Sequence, residues 1–404
     1  MVCFYTDFFK EVVKMCVSAR KEKIKGVTIS QQSITSPSIA MANKQYLKGK
    51  KVLPHTRNQV KKAGEAIRKN EGDIAAATEI IRDYRASHLY PLTIIKNLVW
   101  RHTRKINEEA VIARRLKRLP TIIDKLTRKT LDGVNPNSMS VVRMNDIGGC
   151  RVIVDNKTEL LTLNDSLNNS KTLHKTIRVR DYLESPKTTG YRGIHRIYEC
   201  YAHADSHDWK GFKIEVQLRT VLQHLWATTI EVVDLCEGKA LKTNPFEADQ
   251  RWTEFFFIMS EFFAEDDGFI ALDNTKKSHY KKRLQALNNA IGAYNKLASF
   301  KAVFSTKDID ERSTGKSFVV LIIDESNKRV SYTFYSETQK KDAIRKYNSE
   351  ERDGGKNVLL VQMDDIKNIK SAYPNYLIDT SEFLRKFDTY TKATYWINPI
   401  PPRG

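Results

Sequence analysis

The 404-residue sequence has no apolar run near the roughly 20 residues that a membrane-spanning helix needs, so no membrane partner is expected. Cysteine is scarce: the five, Cys3, Cys16, Cys150, Cys200 and Cys236, lie far apart, and none forms a C-x-x-C pair. That spacing argues against a disulfide framework or a zinc site and fits a reducing, cytoplasmic compartment. No internal repeat is apparent, which sets solenoid and propeller architectures aside. The opening MVCFYTDFFKEVVKMCVSAR carries Asp7, Lys10, Glu11 and Lys14 inside its apolar stretch, so it is not a signal peptide. Negative charge is also in deficit, with 48 acidic against 68 basic side chains and a net charge of +20. A balance that basic points to polyanionic partners such as nucleotides or nucleic acid, although a solvated basic surface would look the same.

What is present reads as a globular chain, 41% hydrophobic and 29% charged, long enough for two or three domains at roughly 100–200 residues each. Residues 1–40 join a short amphipathic piece to a polar stretch and are expected to be a mobile, variable extension, with Met41 as the expected true start. Helical spacing runs from Gln59 to Arg85, and Pro91 can open another helix. Between 101 and 130, ten basic side chains stand against three acids, in a segment read as helix interrupted at Pro120. The middle alternates short strands (Arg151–Val154, Thr176–Val179, His195–Ala202, Lys213–Arg219) with helices (Thr158–Leu167, Thr220–Leu235). An apolar helix at 251–265 and a Lys-rich helix at 276–299 follow. The tail reads as strand 318–324, strand 330–336, helix 337–348, strand 357–362 and a helix after Asp379. The pattern predicts an α+β protein, a mixed β-sheet flanked by helices, with a small C-terminal α/β domain.

Four constellations carry chemistry. Asp146-Ile-Gly-Gly-Cys-Arg151 puts an acid at the mouth of a buried strand, a position suited to a Mg²⁺ ligand or merely to capping a turn. Lys187-Thr-Thr-Gly-Tyr191-Arg192-Gly-Ile-His195 reads as a loop offering an exposed aromatic face beside cations, either a base-stacking platform or a basic turn. In the strand 213–219, Ile214, Val216 and Leu218 point one way and Lys213, Glu215, Gln217 and Arg219 the other. That second face is a wet sheet surface, or a carboxylate kept ionised by cations for use as base or metal ligand. Arg115, Lys117, Thr121 and Lys125 can cradle a triphosphate or form a solvated helix face. Two lookalikes fail. Thr314-Gly-Lys-Ser317 lacks the first glycine of a P-loop, which would fall at Asp310, and a strand follows it. His207-Asp208 is a pair in a loop, without the other ligands that a metal phosphohydrolase would need.

Taken together and in this order, RLKRLPTIIDKL, RMNDIGGCRVIV, RDYLESPKTTGYRGIH and KIEVQLRTVLQHLWATTIE resemble the synthetase domain of the RelA/SpoT family, over about residues 50–265. The resemblance implies a nucleotidyltransferase-like fold and transfer of the β,γ-pyrophosphate of ATP to a ribose 3′-hydroxyl. It implies a synthetase domain at 41–268, a linker helix at 269–299 and a regulatory unit at 300–404. By motif position, Arg115, Lys117, Thr121, Lys125 and Arg151 would bind ATP, and Asp146 and Glu215 would hold Mg²⁺. Glu215 would also serve as general base, with Gln217 beside it. Tyr191, Lys187, His195 and Arg219 would bind the acceptor. Thr121 stands where the family often has serine. The stretch ahead of the motifs is too short for the hydrolase domain of bifunctional members, so a synthetase-only enzyme is expected.

The acceptor separates two readings. The length, the VQLRTVLQHLWAT form and the C-terminal unit look like fused toxin–antitoxin members of the CapRel kind. In that reading the 3′-CCA end of tRNA is the acceptor, Tyr373 and Tyr376 of the tail are autoinhibitory, and a phage protein is the trigger. The other acceptor is GDP or GTP, giving (p)ppGpp. A catalytically inactive RNA-binding regulator is the rival from another class, and the joint presence of Asp146, Tyr191 and Glu215 argues against it. Oligomeric state is not legible.

Overall fold

The computed structural model describes residues 53–128, 138–237, 249–302, 317–324, 329–352, 357–363 and 380–392. The N-terminal extension, Met41, Thr314 to Lys316 and the Tyr373–Tyr376 motif lie outside the described residues.

Among the described residues three helices come first: α1 (Arg57–Lys69), α2 (Ile74–Ser87) and α3 (Leu89–Thr103). Thr56 and Gln59 form a reciprocal capping box at the start of α1, and Asn70 ends it in the left-handed conformation. Next come β1 (Val111–Leu116), α4 (Leu119–Thr127), β2 (Gly148–Val154), α5 (Lys157–Asn168), β3 (Lys175–Asp181), β4 (Ile194–Glu199), β5 (Lys213–Thr220) and α6 (Val221–Glu237). Helices α7 (Gln250–Asp266), α8 (Asn274–Ile291) and α9 (Ala293–Ala302) follow. The C-terminal part supplies β6 (Phe318–Asp324), β7 (Arg329–Tyr335), α10 (Lys340–Arg352), β8 (Asn357–Met363) and α11 (Ser381–Thr391).

The strands form a single mixed sheet in the order β3-β4-β5-β2-β1-β8-β6-β7. The β2–β5 pair is parallel and the other neighbours are antiparallel. The expected mixed sheet flanked by helices is thus present. The C-terminal strands are continuous with it, because β8 pairs with the free edge of β1 at Ala113↔Met363, Arg114↔Gln362 and Arg115↔Val361.

Alternation along the central strands gives the sheet two unlike faces. Ile112, Cys150, Val152, Val154, Ile214, Val216, Leu218, Ile194 and Tyr198 join one core with Leu92, Ile95 and Val99 of α3 and Leu160, Leu163 and Leu167 of α5. The other face carries the polar side chains taken up below. A second core gathers Trp226 of α6, Trp252, Phe255, Phe256 and Phe263 of α7, and Phe383 and Phe387 of α11.

Several elements differ from expectation. Arg115 lies on a strand rather than a helix: VIARRL pairs along β2 from Val111↔Ile153 to Leu116↔Gly148. Pro120 opens α4 instead of interrupting a helix, since a proline in the first turn costs no hydrogen bond. The Lys-rich helix is two helices, broken where Gly292 adopts φ 64°. The tail helix begins with a short 3-10 turn at Glu337–Gln339, and its α-helical part starts at Lys340.

Candidate active site

Strand register brings the motifs together. Arg115 faces Gly149 across β1–β2, Gly149 faces Glu215 across β2–β5, Arg151 faces Gln217, and Gln217 faces His195 across β5–β4. Directly opposed residues share a face, so four strands supply one polar surface. Gly149 leaves room at its centre: a methyl group added there would sit 4.0 Å from the backbone oxygens of Arg115 and Glu215.

A cleft of about 200 Å³ opens on this surface, lined by Ala113, Arg115, Lys117, Asp146, Gly149, Cys150, Arg151, Glu215 and Gln217. Asp146 and Glu215, distant in sequence, therefore share one cavity. Lys117 Nζ donates to Asp146 at 3.1 Å, and Lys125 Nζ reaches it at 3.0 Å from α4. Burial raises the Asp146 carboxyl, but the Lys117 and Lys125 ammoniums outweigh it and hold the group below its ordinary value. Burial likewise raises Glu215; the hydrogen bonds from His195 and Gln217 outweigh it, so this carboxyl is also held low. Both are carboxylates at neutral pH. Thr121 sits in the first turn of α4 and does not line the cleft.

A neighbouring cavity of about 100 Å³ shares Arg115, Arg151 and Gln217 and adds Lys187, Thr189, Tyr191, His195, Arg219 and Glu231. Tyr191 is not the exposed platform read from the sequence. It is 4% exposed, and its hydroxyl accepts from Arg219 Nη2 at 3.0 Å. The reason is Gly190, whose φ of +92° folds the loop against α7. Lys187 and Arg219 lie 5.0 and 5.2 Å from the Tyr191 ring. Arg192 also leaves the surface and pairs with Glu261 of α7 at 2.6 Å. The half-buried aromatic beside Lys187 is Tyr182, 4.9 Å from that ammonium.

Sequence reasoning missed Tyr182 and Glu231. Tyr182 lies just before the glycine loop, and the sequence marks it only as one more aromatic near cations. Glu231 stands between apolar neighbours on α6, and only the seating of that helix against the sheet brings it to the cavity.

Two carboxylates facing one cleft suit a divalent cation that takes its other ligands from substrate phosphate and water. Among the described residues no group of three or more His, Cys, Asp and Glu converges, so the protein by itself would not enclose such an ion. The cations Arg115, Lys117 and Arg151 around the same cleft are placed to offset phosphate charge.

Residues 114–232 match a family model described as the region found in RelA / SpoT proteins. The GTP pyrophosphokinase YwaC of Bacillus subtilis (strain 168) is 29% identical over 114 residues, 28% of this chain and 52% of that protein. The chain thus spans about half the length of this curated relative. Among solved structures, small alarmone synthetase 2 from Bacillus subtilis is 20% identical, covering 46% of this chain and 94% of that one at a TM-score of 0.36. A GTP pyrophosphokinase family protein from Streptococcus pneumoniae is 22% identical, with 46% and 86% coverage and a TM-score of 0.33.

Proposed function

We propose that this chain, in which residues 114–232 are a RelA/SpoT region, is an ATP-dependent pyrophosphokinase. It transfers the β,γ-pyrophosphate of ATP to a ribose 3′-hydroxyl and releases AMP. The observation that carries the reading is that Asp146 and Glu215 face one cleft ringed by Arg115, Lys117 and Arg151. Glu215 takes the proton of the attacking hydroxyl, and the cations offset charge on the transferring group. A Mg²⁺ ion held by Asp146 and Glu215 would further neutralise the phosphates. Lys125, bonded to Asp146, completes the cationic side.

The relative YwaC, named a GTP pyrophosphokinase, supports GDP or GTP as acceptor. A second observation supports the tRNA 3′-CCA end. Strand β3, beside the His195-bearing β4, exposes Lys175, Arg178 and Arg180, and the chain carries a net +20. A long polyanion can use many such cations and a mononucleotide few. With tRNA as acceptor, the product could not be aminoacylated, and the activity would be toxic to translation. We assign a regulatory role to the C-terminal segment, whose strands extend the catalytic sheet at the Arg115-bearing edge.

The test is AMP release from ATP with Mg²⁺ and GDP, GTP or tRNA, using γ-labelled ATP to find where the label goes. Label on a guanosine nucleotide or on tRNA selects the acceptor. No AMP with any acceptor, from an enzyme shown to be folded, would overturn the reading.

A further inference from the structure

Glu215 and four side chains of the cavity beside it, Arg219, Tyr191, His195 and Gln217, form a closed hydrogen-bonded ring, and its directions follow from one member. Arginine only donates. Arg219 Nη2 donates to the Tyr191 oxygen at 3.0 Å and to Gln217 Oε1 at 2.9 Å. Gln217 therefore presents its amide nitrogen to Glu215 Oε2, at 2.8 Å. Arg219 Nε also donates to Tyr191 Oη, at 3.2 Å, so both acceptor sites of that oxygen are taken; what it has left is its own proton, and His195 Nε2 lies 2.5 Å away. Burial keeps that phenol protonated. His195 Nε2 must then be the bare nitrogen, and Nδ1 carries the hydrogen that faces Glu215 Oε1 at 3.0 Å. Both nitrogens of His195 and both oxygens of Glu215 are thus engaged. The side chains concerned are nearly enclosed, His195 being 15% and Glu215 18% exposed.

We infer that His195 is a positioning residue, locked as the neutral Nδ1–H tautomer, that aims the Glu215 carboxylate instead of holding the acceptor's phosphates. The inference rests on the pyrophosphokinase reading for its catalytic half. A phosphate contact would need an N–H of His195 turned toward the ligand, and its one N–H is turned to Glu215. Gln217 and His195 grip the two oxygens of Glu215 from different strands, which fixes the carboxylate plane. A reacting group misplaced by about 1 Å loses about 100-fold in rate, so such a grip matters to kcat.

The experiment compares His195→Asn, His195→Gln and the wild type in the full-length chain. The asparagine amide can stand in for Nδ1–H and keep the Glu215 contact; the longer glutamine side chain reaches the Tyr191 hydroxyl instead. Positioning predicts that His195→Gln lowers kcat about 100-fold with the acceptor KM unchanged, and that His195→Asn restores much of the loss. An acceptor KM raised tenfold or more with kcat kept, in both variants, would overturn the inference and make His195 a phosphate ligand. A second readout is independent of activity. Imidazole ¹⁵N spectra of the wild type, with His195 assigned by its loss in His195→Asn, should show a neutral ring protonated on Nδ1. A ring protonated on Nε2, or on both nitrogens at pH 7.5, would overturn the tautomer assignment. A wild type that makes no AMP with any acceptor overturns the pyrophosphokinase reading and the kinetic half together, while the spectrum still decides the tautomer.

Discussion

Glu351 ties the C-terminal part to α2 and α4, and removing it should be costly. The carboxylate reaches out of α10 and is 5% exposed. It accepts from Arg82 Nη1 at 3.1 Å, Arg85 Nη1 at 3.5 Å and the Leu119 amide at 3.2 Å. The last contact places a negative charge on the first turn of α4, where the unpaired amides and the helix dipole favour it. Tyr347, on the same helix, bonds both Glu351 and Arg85. In Glu351→Ala two nearly buried guanidiniums lose their shared anion, and breaking a buried pair costs about 3–5 kcal/mol. Arg82 keeps Glu79 at 3.3 Å, and Arg85 keeps the Lys117 carbonyl at 2.5 Å, which puts the expected loss at the lower end, about 3 kcal/mol. Glu351→Gln keeps an acceptor oxygen and should cost less. Urea unfolding of the full chain measures both, the midpoint falling at unchanged slope. A loss below about 1 kcal/mol for Glu351→Ala, the range of an exposed pair, would refute the argument that this cluster holds α10 against α2 and α4.

Glu215→Gln should lower AMP formation by about 10²–10⁴-fold, the range for a lost general base, while the urea midpoint stays close to wild type. Gly190→Ala should cost about 2 kcal/mol or more, because the residue has φ +92° and a methyl group would stand 2.9 Å from Phe257 Cα; thermal unfolding reads this, and a wild-type melting temperature would contradict the loop geometry. Stability should fall as pH drops from 6.5 toward 4. Burial lowers His88 and His174 to about 4 each, so the folded chain resists protons that the unfolded chain takes up near 6.5. His88→Gln should flatten this slope in urea titrations at stepped pH, and an unchanged slope would show that His88 is not its source.

Much of the fold was legible because its signals are local. The alternation of Lys213–Arg219, the buried strand after Gly149 and the helical period of 251–265 each follow from side chains within one element. The polar partners of the site were legible in the same way, since Glu215 and Gln217 mark the wet face of their own strand. The segment around Arg115 was not. Its high charge imitates a helix face, and only pairing with β2 and β8 on either side makes it a strand.

From the order of its residues alone this chain carries a basic balance, alternating α and β elements, and two acids in motifs 69 positions apart, at 146 and 215. Tertiary structure decided that the two acids meet, because the parallel register of β2 and β5 sets Gly149 against Glu215. It also decided that Tyr191 is buried, that His195 is spoken for by Glu215, and that the tail strands continue the central sheet. Each depends on backbone pairing or packing between distant segments, which no single stretch of side chains encodes.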